Sequence, residues 1–203
     1  MPRAMLAALA SLFLAGCWVS EELHFGPGDW AKLAIDGHYV VHDSEGEALA
    51  RVLLVTRPDG LVASTTTEDL SGGGKGDMLF GMVAIAQGSG RYFLVVDRES
   101  LGSGEIYVLA HRSDEGEINL YWPNCEGTPK MRGLVAAPEG DPYPGFCMFT
   151  DKRAVMEAAL RAERFLAARH IVRVSPFARL SRTDTGGEPG EEECECVAEP
   201  HNP

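Results

Sequence analysis

The chain has 203 residues, with 30 acidic against 18 basic side chains and a formal net charge of −12. This length accommodates one domain with a hydrophobic core, and the acidic balance argues against nucleic acid as a partner, because phosphate binding needs clustered lysine and arginine. Seven of the acidic residues fall in the stretch 183–203, which contains no lysine or arginine. We therefore expect 183–203 to be an acidic, disordered tail.

The N-terminal residues 1–16 have the order of a signal peptide. Arg3 supplies a positive start, and an apolar run follows from Met5 to Leu14. That run is far shorter than the roughly 20 apolar residues needed to cross a bilayer. The segment is therefore expected to direct export rather than to form part of the fold.

The leader ends in Leu14-Ala15-Gly16-Cys17, which resembles the lipobox of bacterial lipoproteins. The resemblance implies that the signal peptide is cut before Cys17, that its thiol receives a diacylglycerol, and that the new amino terminus is acylated as well, typically with palmitate. Each buried CH₂ contributes about 0.8 kcal/mol, so two or more chains would hold the protein without a spanning helix. In enterobacterial sorting an Asp after the cysteine retains a lipoprotein in the inner membrane. Because Trp18 stands there instead, we predict a protein of the bacterial cell envelope, anchored in the outer membrane through acylated Cys17.

Residues 17–36 are expected to form a lipidated tether between the anchor and the domain. The segment carries Glu21, Glu22 and the Gly26-Pro27-Gly28 breaker, which disfavour regular structure. About a dozen extended residues would reach roughly 40 Å from the bilayer.

Residues 37–182 are predicted to be one mainly β domain of the α+β type. Short runs rich in β-forming residues are separated by turn residues, and they read HYVVHD, EALARVLLVT, LVASTTT, MLFGMVAIAQ, RYFLVVD, EIYVLAH and EINLYW. Short connections favour antiparallel neighbours, so we expect a meander sheet or barrel of about seven to eight strands. RYFLVVD is apolar on both faces, which indicates a strand covered on both sides.

One C-terminal amphipathic helix is predicted at about 151–168. Thr150 or Asp151 can cap it. Apolar residues at helical spacing form its inner stripe, namely Val155, Met156, Ala159, Leu160, Ala162 and Leu166. The following HIVRV is expected to be the last strand, ended by Pro176.

With Cys17 assigned to lipid, four cysteines remain for an oxidising compartment. Cys125 and Cys147 bracket a loop rich in proline and glycine, and we expect them to be bonded, although other pairings of the four stay open. Closing such a loop contributes about 3 kcal/mol. Cys194 and Cys196 lie in the acidic tail, where intermolecular disulfides or no role at all are favoured over metal binding.

Few residues suggest chemistry. SGGGKGD, residues 71–77, lacks the Ser or Thr and the first glycine of a phosphate loop, so it is expected to be a flexible loop. His38 and His42 share one strand face and are weak candidates for half a metal site, with His111 available as a third ligand. No serine stands in a G-x-S-x-G elbow, and no cysteine stands in a recognisable nucleophile setting.

Two further resemblances concern the body of the chain. Gly28-Asp29-Trp30 has the G-x-W spacing seen at the start of lipocalins, and the expected order of meander, helix and final strand is similar to theirs. The later lipocalin motifs are absent. The segment YWPNCEG…GFCMFTDKRAVMEAAL resembles small uncharacterised proteobacterial lipoproteins, which implies no activity.

These features predict a non-catalytic envelope lipoprotein that acts as a binding or assembly module, without a cofactor or metal. Its partners would be the lipid bilayer and an envelope protein or a small apolar ligand. The alternative is a lipocalin-like carrier of a small apolar molecule, and a hydrolase is less favoured. An enlarged apolar interior would favour the carrier, and convergent His, Asp and Ser side chains would favour the enzyme.

Overall fold

The structure is a computed structural model that describes residues 18–74, 76–85, 91–97, 104–123, 125, 130–136, 146–168 and 176–183. Its elements are β1 Trp18–Ser20, β2 Gly37–Asp43, β3 Ala48–Thr56, β4 Val62–Asp69, β5 Asp77–Ala84, β6 Tyr92–Asp97, β7 Glu105–Arg112, β8 Ile118–Tyr121, β9 Leu134–Ala136, β10 Cys147–Phe149, α1 Lys152–Ala168 and β11 Ala178–Arg182. The predicted signal peptide, the predicted lipidation site Cys17, and Cys194 and Cys196 in the predicted tail lie outside the described residues. Among the described residues, no helix is long and apolar enough to cross a membrane.

Eight of the strands form a closed antiparallel barrel, which confirms the predicted fold class. Strands β2 to β8 follow one another as a meander, and β11 pairs with β8 on one side and β2 on the other. Strand β7 has β6 on one edge and β8 on the other, so the ring closes. Short turns join the strands, as at Gly46, Gly60 and Gly116, where positive φ values suit glycine.

The inside of the barrel is a hydrophobic cluster to which nearly every strand contributes. Alternate residues of a strand point to opposite faces, so one set from each strand faces inward. The most deeply buried of these are Tyr39, Val52, Leu54, Val62, Met82, Phe93, Ala110 and Ile118.

A second cluster lies on the outside of the barrel, where α1 covers the wall. Ala154, Val155 and Ala158 of the helix pack in one cluster with outward-facing Leu94 and Val96 of β6. Both strand residues are 0% exposed, which agrees with the prediction that this strand is covered on both sides.

The helix begins as the sequence indicates. The N–H of Ala154 donates to the carboxylate of Asp151 at 2.8 Å, so Asp151 rather than Thr150 is the N-cap. The helix spans Lys152–Ala168, so it begins one residue after the start of the predicted range 151–168. Thr150 instead donates to the carbonyl of Gly133 through its N–H at 2.8 Å.

The segment expected to be a tether packs into the domain, and that part of the prediction is wrong. Trp18 to Ser20 form β1, which is inserted between β7 and β10, and Trp18 is 2% exposed. Phe25 and Ile35 are buried as well, at 3% and 1% exposure. Apolar residues spaced through this turn-rich segment pack against the barrel, so the segment belongs to the core although it lacks regular structure over most of its length.

Trp30 of the G-x-W segment packs on the outer face of β5 because that strand has a glycine there. A side-chain carbon at Gly81 would lie 2.3 Å from the indole ring of Trp30, so only glycine leaves room for it. Trp30 is 7% exposed and lies in one cluster with Phe25 and Leu61.

The predicted disulfide is present. Cys125 and Cys147 are bonded, with their Cα atoms 5.5 Å apart, which lies in the expected range. Cys147 opens β10 and pairs directly with Trp18 of β1. The bond therefore secures the strand on which β1 rests.

The last described strand differs from the sequence prediction. HIVRV, residues 170–174, which was expected to end at Pro176, lies outside the described residues. The last strand that the structure describes is β11, which follows Pro176. Its inward residues Ala178 and Leu180 complete the barrel wall between β8 and β2. Proline is tolerated here because it precedes the strand and removes no ladder hydrogen bond.

Candidate functional site

One end of the barrel, here called the closed end, is crossed by residues 31–36. Ala31, Leu33 and Ile35 alternate toward the barrel interior and pack against its cluster. Arg112 donates to the carbonyl of Ala34 at 3.4 Å, and Arg182 donates to the carbonyl of Asp36 at 2.9 Å. The crossing segment is thus fixed from both sides.

The carboxylate of Asp36 ties the closed end to the neighbouring hairpin. It accepts hydrogen bonds from the hydroxyl of Thr56 at 2.6 Å and from its N–H at 2.7 Å. These bonds hold the pKa of Asp36 below its usual value. Tyr39, directly inside, is 2% exposed, and burial raises the pKa of its hydroxyl. The interior of the barrel is therefore filled by side chains at the closed end.

The other half of the interior is lined by side chains that are only half-buried. They face inward, belong to six different strands and are all apolar, namely Val41, Ala50, Phe80, Val95, Leu120 and Leu180. In strand β6 the contrast is direct, because outward-facing Leu94 and Val96 are 0% exposed while inward-facing Val95 is half-buried. Water therefore reaches the inner wall in the half of the barrel away from the closed end.

Polar groups along this half come mainly from two strands. Ser64 and Thr66 of β4 share the inward parity of Val62, and Thr66 donates to the carbonyl of Gly76 at 2.8 Å. On β6, Asp97 follows Val95 on the inward row and is 8% exposed. A wall of aliphatic and aromatic side chains with a few polar groups is the lining typical of pockets for small apolar molecules.

Beyond the barrel, β1, β10 and β9 extend the sheet from the edge of β7, and we call these three strands the extension. Strand β8 pairs with β7 at residues 109–112, and β1 pairs with the same edge at 105–107. On one face of the extension, Val19 and Phe146 form a cluster with Ile106, Trp122 and Met148.

A buried carboxylate fastens the segment after β1 to the barrel. Glu105 is 0% exposed and accepts the N–H of His24 at 2.9 Å, the N–H of Phe25 at 3.4 Å and the hydroxyl of Tyr107 at 2.9 Å. Burial raises the pKa of Tyr107 well above its usual value. The hydroxyl of Ser20 lies 2.8 Å from that of Tyr107. Glu105 therefore holds the backbone of His24 and Phe25 beside β7.

A second contact fastens the same segment to the helix. Lys152 of α1 forms an ion pair with Asp29 and also lies 5.3 Å from the ring centre of Phe25. Burial alone would raise the pKa of Asp29, but the hydrogen bonds from Lys152 and the N–H of Gly26 outweigh it and hold that pKa below its ordinary value.

The candidate metal ligands are not brought together. His38 and His42 share the outward face of β2, yet both ring nitrogens of His42 have partners, the hydroxyl of Ser181 at 2.8 Å and the carbonyl of Gly46 at 3.2 Å. His111 lies in register with His42 three strands away, roughly 14 Å at strand spacing. Within the described ranges, no group of three His, Cys, Asp or Glu residues could hold a metal ion.

The glycine-rich loop after β4 is organised around its own carboxylate. Asp69 accepts the N–H groups of Ser71 at 3.0 Å, Gly72 at 3.0 Å and Gly74 at 2.5 Å. These bonds, led by that of Gly74, lower the pKa of Asp69. The backbone donors that a phosphate would need are thus used internally, which gives a physical reason for rejecting a phosphate loop.

The sequence does not indicate which residues line the barrel. Alternation in EALARVLLVT and RYFLVVD indicates two faces, but both faces are apolar, so the pattern does not say which one points inward. No protein-family model matches the chain, and no curated protein or solved structure matches it. The candidate site therefore rests on the geometry of the chain itself.

Proposed function

We propose that this protein is a non-catalytic carrier that holds a small apolar ligand inside its barrel. The observation that supports it is the half-buried inner wall, where Val95 is reached by water while its outward neighbours Leu94 and Val96 are not. When an apolar molecule displaces water from an apolar wall, binding is favoured by about 25 cal/mol for each Å² of apolar surface buried. This consideration favours the carrier over an assembly module.

A hydrolase is the weaker proposal because the polar groups that it would use have structural partners. The carboxylate of Glu105 binds backbone N–H groups of the N-terminal segment, and His42 is held by Ser181 and Gly46. Neither residue faces the barrel interior, where the apolar wall lies.

We further propose that the carrier is a lipoprotein of the bacterial envelope, anchored in the outer membrane by acyl chains on Cys17. The support is Leu14-Ala15-Gly16-Cys17 at the end of a charged and then apolar leader. Mass spectrometry of native material should find acylated Cys17 at the mature terminus, and Cys17→Ser should leave an unprocessed precursor. A mature terminus elsewhere would refute the anchor.

The carrier proposal is tested by titration with N-phenyl-1-naphthylamine, an uncharged apolar fluorophore. The variant Ala50→Phe places a ring on the half-buried inner wall of β3, and Val55→Phe places the same ring on its outer face, where Val55 is 44% exposed. We expect Ala50→Phe to weaken binding at least about tenfold, because displacing two buried CH₂ groups of ligand costs about 1.6 kcal/mol. Val55→Phe should bind as the unaltered protein does. Equal affinity in the two variants, or no binding at all, would contradict the proposal.

A further inference from the structure

The inward positions of the barrel change from buried to half-buried within a single step of two residues. On β6, Phe93 is 1% exposed, and the next inward residue, Val95, is half-buried. On β5 the same step leads from Met82, 3% exposed, to half-buried Phe80. The last buried inward residue before this step is here assigned to the floor, whose members are Tyr39, Val52, Met82, Phe93 and Ile118.

Polar side chains end the half-buried apolar wall one step further on. On β6, Asp97 follows Val95 on the inward face and is 8% exposed. On β2, Asp43 follows Val41 on the inward face, where it pairs in register with a residue of β11. The apolar wall that water reaches is therefore about one layer of side chains deep on these two strands.

The distance from the floor to the end of this wall limits the length of a bound molecule. On β5, Met78 lies two inward steps beyond Met82 and is 51% exposed. Two inward steps span about 13 Å of strand, which is about 10 Å along the axis of a barrel whose strands tilt by about 40°. An extended chain advances about 1.2 Å for each bond, so about eight carbon atoms fill this depth.

We propose that the barrel binds compact apolar molecules, up to about eight carbon atoms in length, and that the floor sets this limit. The inference rests on the proposed carrier function and narrows its ligand to a size class. A longer chain that stops at the floor leaves its extra carbons in water, where they add nothing to the affinity. Removing a floor side chain should therefore lengthen the chain that the barrel accepts.

The test measures how linear alcohols from hexanol to dodecanol displace N-phenyl-1-naphthylamine from the full chain. Phe93→Ala removes a floor side chain. The matched control, Leu94→Ala, removes an equally buried side chain from the outer face of the same strand, since the two residues are 1% and 0% exposed. Phe93→Leu is a second, milder change of the floor, and it decides the outcome if Phe93→Ala does not fold.

In the unaltered protein, we expect each CH₂ up to about eight carbons to tighten binding about fourfold, and each further CH₂ to tighten it less than about 1.5-fold. Phe93→Ala should extend the fourfold steps by up to about four carbons, because one layer of side chains is about 5 Å deep along the barrel axis. Phe93→Leu should extend them by about one carbon. Leu94→Ala should leave the limit where it is in the unaltered protein.

The possible outcomes separate the length limit from the carrier function. Fourfold steps that continue to dodecanol in the unaltered protein would overturn the length limit and leave the carrier intact. An equal extension in Leu94→Ala and Phe93→Ala, or no extension in any folded Phe93 variant, would overturn the role of the floor. If neither the fluorophore nor any of the alcohols binds to the unaltered protein, the carrier proposal itself fails.

Discussion

Replacing Gly81 with alanine should destabilise the protein, although alanine normally stabilises a strand relative to glycine. The added carbon would lie 2.3, 2.4 and 2.7 Å from three ring atoms of Trp30, so the indole must move. Trp30 is 7% exposed and packs with Phe25 and Leu61, so it has little room to yield. Overpacking of this kind costs about 1–3 kcal/mol, and loss of all the packing of a tryptophan costs about 3–5 kcal/mol. Against a gain of about 0.5–1 kcal/mol from removing a strand glycine, we expect a net loss of about 2 kcal/mol.

The assay is urea unfolding of the chain from residue 17 carrying Cys17→Ser, in a double-mutant cycle. On a Trp30→Ala background the clash is gone, so Gly81→Ala should be neutral or stabilising, and the coupling between the two sites should be about 2 kcal/mol. Gly76→Ala is the control, because a carbon there meets nothing within 4 Å. A Gly81→Ala variant as stable as the Gly76→Ala variant, or a loss that persists on the Trp30→Ala background, would refute the packing of Trp30 on β5.

Three further predictions concern how the N-terminal segment is held. Glu105→Gln should cost about 2–3 kcal/mol in urea unfolding, because the buried carboxylate accepts hydrogen bonds from the N–H groups of His24 and Phe25 and from the hydroxyl of Tyr107, and an amide would place its own N–H donors against them. An unchanged unfolding midpoint would contradict this role. Reducing the bond between Cys125 and Cys147 should lower the free energy of unfolding by about 3 kcal/mol. Amide hydrogen exchange should then increase in β10 and β1 before it increases in the hairpins, and an equal increase in all strands would contradict this prediction. The hydrogen bond from Lys152 lowers the pKa of Asp29 in the folded protein, so the stability that Asp29 contributes is present above about pH 4 and is lost as the pH falls through the folded pKa. Asp29→Asn should therefore destabilise the protein at neutral pH and progressively less in acid. A difference in unfolding free energy that does not change with pH would contradict the ion pair.

Local features of the fold could be predicted from the sequence because they depend on neighbouring residues. Turn residues such as Gly60 and Gly116 separate apolar runs, and the structure places strand ends at those turns. Asp151 precedes an apolar stripe at helical spacing and caps α1. The disulfide between Cys125 and Cys147 was favoured because these two of the four remaining cysteines flank a loop rich in proline and glycine, and the structure contains it.

Contacts between distant residues could not be predicted in this way. Gly26-Pro27-Gly28 indicated a linker, because breakers mark loops whether or not the loop packs on a core. That the segment packs depends on Gly81, more than 50 positions later, which makes room for Trp30. Three-residue strands such as β1 carry too short a pattern to be recognised. The inner lining also escaped prediction, since Leu94 and Val95 are equally apolar and only closure of the barrel decides which one faces inward.

Methyl NMR with a bound apolar probe distinguishes binding inside the barrel from binding on its outer surface. On β6 the inward-facing Val95 stands between the outward-facing Leu94 and Val96, so this strand provides its own control. On saturation with N-phenyl-1-naphthylamine, we expect large shifts in the half-buried inward set, Val41, Val95, Leu120 and Leu180, and small shifts in the outward set, Leu53, Val55, Leu94 and Val96. Shifts centred on the outward set, or none in the inward set, would contradict the claim that the barrel interior is the binding site.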